Sequence, residues 1–154
     1  MDALNVCCDT PDNPQVQALL MRHFELMRAS SPEESCHVME PGALLERGVL
    51  LLAARDGDAV LGVGALARLE AGHGELKSMH TAVESRGRGV ARAVLSALLD
   101  AARADGMSRV SLETGSAEMF APARALYAAY GFEECPPFGD YVLDPLSVFM
   151  TRVL

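Results

Sequence analysis

Arg86-Gly87-Arg88-Gly89-Val90-Ala91 is the stretch whose reading decides the fold. It follows an apolar segment of strand character. It opens a run in which Val90, Val94, Leu98 and Ala102 recur every four residues, close to the period of a helix. Gly106 supplies the stop for that helix. Two glycines let the backbone turn tightly and expose successive N–H groups, and a helix N-terminus adds partial positive charge. Such a loop is an anion cradle suited to phosphate or pyrophosphate, and Arg86, Arg88 and Arg92 add cations beside it. A dinucleotide fingerprint needs a third glycine where Arg92 stands, and a Walker loop needs a Gly-Lys-Ser/Thr ending that the chain lacks. On these residues alone a plain glycine turn competes with the cradle.

Upstream, Asp56-Gly57-Asp58 lies between two apolar runs, 49–55 and 59–69, and marks a hairpin. Ala71-Gly72-His73-Gly74 turns the chain into a third strand, 75–83, which completes an antiparallel meander. In that third strand Leu76 and Met79 are three apart, which breaks two-residue alternation. The spacing predicts a β-bulge between them, with both side chains on the core side and backbone groups left free for a ligand. Nearer the start, a short strand spans 4–8. A helix spans 13–29, with Val16, Leu19, Leu20, Phe24 and Met27 as its apolar stripe. Ser30-Ser31-Pro32-Glu33-Glu34 breaks it and is expected to cap a second short helix. Downstream come a strand at 110–114, a helix at 121–130 stopped by Gly131, and late strands at 132–135 and 148–153. This order implies an α/β chain with a mixed, twisted sheet and helices on both faces. With no repeat, linker or low-complexity tract, residues 1–154 read as a single domain.

The bulk numbers exclude some functions. Half of the 154 residues are apolar and 22% are charged, which allows a sizeable core. The net charge of −8 opposes nucleic-acid binding, which needs a basic face; it fits a cationic partner loosely and solubility more simply. No apolar run reaches the roughly 18 residues of a membrane span, and no basic segment precedes an apolar one at the N-terminus. The expectation is a cytoplasmic protein with no membrane or nucleic-acid partner. Cys7, Cys8, Cys36 and Cys135 lack the spacing of a zinc or redox motif, and Cys36-His37 stands alone, so no metal is expected.

Three segments, in order and spacing, carry a resemblance. These are Glu75-Leu76-Lys77-Ser78-Met79; the 86–91 loop, which fits Arg/Gln-x-x-Gly-x-Gly/Ala at Arg86, Gly89 and Ala91; and Leu126-Tyr127 with Gly131-Phe132. Together they resemble the GNAT superfamily of N-acetyltransferases across roughly residues 49–154. Ser31 to His37, Ser111 to Ser116, Pro137 to Tyr141 and Asp144 to Thr151 look like the YsnE-like subgroup of small bacterial members, and that likeness runs nearly end to end.

The resemblance implies the GNAT fold and an acetyltransferase that takes acetyl-coenzyme A and an amine acceptor, with a homodimer left open. It implies that backbone at Met79, His80 and Thr81 pairs with the pantetheine arm. It further implies that Arg86, Gly87, Arg88, Gly89, Val90, Ala91 and Arg92 hold the pyrophosphate, and that Tyr127 protonates the departing thiolate. Many relatives carry an asparagine where this chain has Phe120. An ammonium acceptor must lose a proton, so Glu75 and Glu113 are candidate bases, each competing with a role in an ion pair or at a strand end. His80 has a suitable intrinsic pKa, although alternation turns it from the cofactor. Glu34 and His37, three apart in a polar segment, are candidates for the acceptor pocket. A coenzyme A sensor without a base, or a scaffold that has lost the cofactor, is the alternative.

Overall fold

The computed structural model describes residues 4–30 and 49–154. The strands are β1 (Asn5–Cys8), β2 (Leu50–Asp56), β3 (Ala59–Glu70), β4 (His73–Thr81), β5 (Arg109–Gly115), β6 (Glu133–Glu134) and β7 (Ser147–Val153). Among the described residues the helices are α1 (Pro14–Ser30), α2 (Val90–Ala104) and α3 (Ala121–Ala129). The strands form one seven-stranded sheet in the order β1-β2-β3-β4-β5-β7-β6. Among the described residues only the β4–β5 pair is parallel, and the other strand pairs are antiparallel.

Alternation along β2 shows how the layers arise. Leu51 and Ala53 face α1 and pack with its Val16, Leu19 and Leu20, whereas Leu52 and Ala54 join the cluster of Val94, Leu95, Leu98 and Leu99 from α2. Helices therefore cover both faces of a mixed sheet. Tyr127 and Phe132 belong to the second cluster, which puts α3 on the α2 side. Among the described residues no helix is long and apolar enough to cross a membrane.

The bulge lies at Ser78. Val63 pairs with His80 and Ala65 with Lys77, so the single residue Gly64 of β3 stands opposite two residues of β4, Ser78 and Met79. Ser78 takes φ 56°, a left-handed conformation unusual for a non-glycine residue. The extra residue resets alternation, and Leu76 and Met79 both pack on the α2 side. Gly64 is the residue skipped opposite, and a Cβ there would lie 2.5 Å from the Met79 sulfur, so only glycine lets Met79 pass.

Two expected edges move. The third strand begins at His73 and ends at Thr81, before a 3₁₀ turn at Val83–Ser85. The late strand expected over 132–135 shrinks to Glu133–Glu134, because Pro136 and Pro137 cannot donate to a ladder.

Candidate active site

The parallel β4–β5 ladder runs from His73↔Arg109 to Leu76↔Leu112 and goes no further among the described residues. Yet β4 continues to Thr81 and β5 to Gly115. The two strands separate at their C-terminal ends, and a cavity of about 520 Å³ occupies the gap. It is lined from both faces of the sheet, so it crosses the molecule from one helix layer to the other.

On the α2 side the wall includes Arg86, Gly87, Gly89, Val90, Ala91 and Arg92. Gly87 and Gly89 take φ 82° and 79°, and a Cβ on either would meet nothing within 4 Å. The loop therefore bends through conformations that suit glycine and leaves open space over its backbone, at the N-terminus of a fifteen-residue helix. A phosphate group fits that space and that polarity. Arg88 behaves differently: its guanidinium pairs with Asp56 at 2.8 Å and is not part of the cavity wall, so only its backbone remains for the cradle.

Tyr127 enters the same side from α3 and is 7% exposed. The helix end fixes it. Phe132 N–H donates to the Tyr127 carbonyl at 3.0 Å and Gly131 N–H to the Ala128 carbonyl at 3.0 Å, with Gly131 at φ 88°. This is a Schellman ending, and its apolar clasp is the edge-on contact of the Tyr127 and Phe132 rings at 5.9 Å. Burial pushes the Tyr127 phenol above its ordinary range, so it stays protonated and can donate. Arg124 donates to the carbonyls of Gly115 and Ala117 at 2.6 and 3.0 Å, tying α3 to the end of β5. Phe120 also lines the cavity, with its ring against Gly115.

The α1 side is chemically different. Leu76, Met79 and Leu112 face α2, so their neighbours Glu75, Lys77, His80 and Glu113 face the other way. Glu75 is 5% exposed and is held by two donors, Lys77 Nζ at 3.2 Å and the Tyr141 hydroxyl. Tyr141 arrives from the long segment before β7 and is packed against Phe138 and Phe149. Burial, and then the Glu75 carboxylate, raise the Tyr141 phenol, so it too stays a donor. Glu113 is pushed up to about 7, chiefly by burial; Glu75 and Asp144 add to the rise, while Ser147 and Lys77 oppose it. The two carboxyls thus differ. Glu75 is locked between two donors, whereas Glu113 can exchange a proton near neutrality.

His80 turns toward α1, where its ring lies 5.3 Å from that of His23. The residue still lines the cavity, beside Met79 and Thr81. Glu34 and His37 lie outside the described residues. Among the described residues no three His, Cys, Asp or Glu side chains group as metal ligands.

Three lining residues were not singled out from the sequence: Lys77, Tyr141 as a partner of Glu75, and His23. A signal existed for His23. It continues the stripe Val16, Leu19, Leu20 at the next helical step, a histidine among apolar residues. Tyr141 and Glu75 are 66 residues apart, and nothing local in the sequence announces their bond.

The family described as "Acetyltransferase (GNAT) family" matches residues 13–132. Bacillus subtilis "uncharacterized N-acetyltransferase YsnE" is 41% identical over 151 residues, covering 98% of this chain and all of that protein. Escherichia coli "uncharacterized N-acetyltransferase YedL" is 40% identical over 146 residues, covering 95% and 92%. A GNAT family acetyltransferase of Elizabethkingia anophelis, solved with acetyl-CoA bound, superimposes with a TM-score of 0.74 at 17% identity and full coverage of both chains.

Proposed function

The chain belongs to the acetyltransferase (GNAT) family, in the subgroup of its bacterial YsnE-like relatives, and from that premise we propose that it moves an acetyl group from acetyl-coenzyme A to an amine by direct attack, with both substrates bound at once. The observation that carries this reading is the cavity in the β4–β5 gap, whose two walls have opposite chemistry. One wall offers backbone N–H groups, arginines and a protonated phenol. The other offers carboxyls, an ammonium and imidazoles.

Acetyl-coenzyme A supplies an activated thioester carbonyl. The 86–91 loop would hold its pyrophosphate through backbone N–H groups, with Arg86 and Arg92 at hand. The unpaired edge of β4 past Leu76 would take the pantetheine amides as a neighbouring strand would. Backbone N–H groups at the Ser78 bulge would stabilise negative charge developing on the carbonyl oxygen. Glu113, ionised above about pH 7, would take a proton from the amine. Tyr127 would deliver one to the leaving sulfur. Glu75, held by Lys77 and Tyr141, would set the charge around Glu113. Holding the amine against the thioester supplies much of the rate through proximity.

The test is thiol release from acetyl-coenzyme A against a panel of primary amines, alongside calorimetry with coenzyme A. Amine-dependent release supports the reading. Binding without release with any amine would make the chain a coenzyme A sensor, and no binding would make it a scaffold.

A further inference from the structure

On the α1 side of the gap, His80 Nε2 is buried and has no hydrogen-bond partner among the described residues. A buried nitrogen without a partner costs free energy unless something completes it. His80 lines the cavity, one residue beyond Met79 and the bulge, where an acyl group bound in the gap would end. His23, from α1, lines the cavity beside it with the rings 5.3 Å apart and tilted by 54°. We infer that the unpartnered nitrogen of His80 receives the N–H of the acceptor amine, so that His80 is a catalytic residue of the acceptor side and His23 positions it. The proposal rests on the acetyltransferase reading above and adds a residue and a ligand chemistry to it: a nitrogen bearing hydrogen, presented to a neutral imidazole.

The surroundings keep both rings neutral. Burial lowers His23 to about 4, with His80 contributing. Burial also lowers His80; Arg86 and Arg22 push the same way, and Glu84 opposes them. A neutral imidazole offers one nitrogen as an acceptor, which an ammonium or amine requires and an imidazolium lacks. The protons balance. An acceptor R–NH₃⁺ gives one proton to a base of this wall, and the free lone pair forms the C–N bond as the C–S bond breaks. The second proton lost by nitrogen leaves with the thiol through Tyr127, and the first passes from the wall to solvent. Glu113 and His80 both line the cavity, so a carboxyl and an imidazole face the space the acceptor nitrogen would enter.

Bromoacetyl-coenzyme A tests this without knowledge of the acceptor. It places an electrophilic carbon where the acetyl methyl would lie. The imidazole lone pair attacks that carbon, bromide leaves, and the ring loses its other N–H proton to water. Incubation of the wild-type protein, then proteolysis and mass spectrometry, should locate one adduct on His80 that excess coenzyme A suppresses. His80→Gln should lose that adduct while keeping its affinity for coenzyme A by calorimetry. A reagent that binds but labels Glu113, Glu75 or no cavity residue overturns the role of His80 and leaves the donor site standing. A reagent that does not bind fails the donor reading, and this proposal with it. For His23, ¹⁵N NMR of the imidazoles should show the His80 midpoint rising toward its ordinary value in His23→Ala, as water reaches the ring. An unmoved midpoint removes His23 from the proposal.

Discussion

Glu113→Gln should make the protein more stable above neutrality while weakening its catalysis. In the folded chain burial lifts the carboxyl from its ordinary 4.5 to about 7. Between those values Glu113 is protonated when folded and ionised when unfolded. The folded state holds the extra proton, so stability falls as pH rises through this window and levels off above about pH 7. At roughly 1.4 kcal/mol per tenfold change in the proton equilibrium, the loss amounts to about 3 kcal/mol. A neutral amide carries no charge to desolvate and escapes it. For a chain of this size, with about 2–4 °C per kcal/mol, the variant should melt roughly 6–12 °C above wild type at pH 8, and close to wild type at pH 4.5. The assay is thermal unfolding of both proteins at the two pH values. Comparing them removes the groups they share, His23 among them. Acetyl transfer at pH 8 should drop by roughly 100-fold or more if Glu113 takes the proton. An equal gap in melting temperature at both pH values would refute the burial argument, and unchanged turnover would refute the base.

Tyr127→Phe should cut turnover by roughly 10- to 1000-fold and leave coenzyme A affinity nearly intact, since the proton is given only as the thiolate departs; wild-type kcat with chemistry rate-limiting would remove it from the mechanism. Gly89→Glu should abolish coenzyme A binding, because it sets a carboxylate and a strained φ of 79° where phosphate would sit; unchanged calorimetry in a folded variant would show that the loop is not the cradle. Gly115→Ala should destabilise the protein by about 1–3 kcal/mol, since its Cβ would lie 2.1–2.8 Å from Phe120 ring atoms. The displaced ring should also weaken coenzyme A binding, and a melting curve identical to wild type would count against this packing.

The helix over residues 90–104 was legible because its apolar period, its glycine-bearing start and Gly106 all agree on the same bounds. The bulge was legible from a single irregularity, the spacing of Leu76 and Met79, because a strand allows only two faces. What escaped is what depends on distant partners. Arg88 looked equivalent to Arg86 until Asp56, on the end of β2, came within 2.8 Å. The raised proton affinity of Glu113 depends on burial and on carboxylates from β4 and the segment before β7, and its own neighbours in sequence do not encode it. Phe24 fits the apolar stripe of α1 better than His23 does by side-chain type, yet Phe24 packs with Arg28, 5.6 Å from its ring, while His23 reaches the cavity.

The parting of β4 and β5 has a consequence for how the protein behaves among other proteins. A sheet edge with unpaired backbone groups can recruit a foreign strand, and such pairing seeds aggregation. Here an edge of that kind lies in the middle of a seven-stranded sheet, between α1 on one side and α2 and α3 on the other. A strand of another protein, carrying side chains above and below its plane, would have to thread between the two helix layers to reach it. A slender chain with amides and no side chains would meet no such obstacle. The fold thus keeps a pairing surface that sorts its guests by thickness, and it keeps that surface away from the crowded exterior where the same groups would be a hazard.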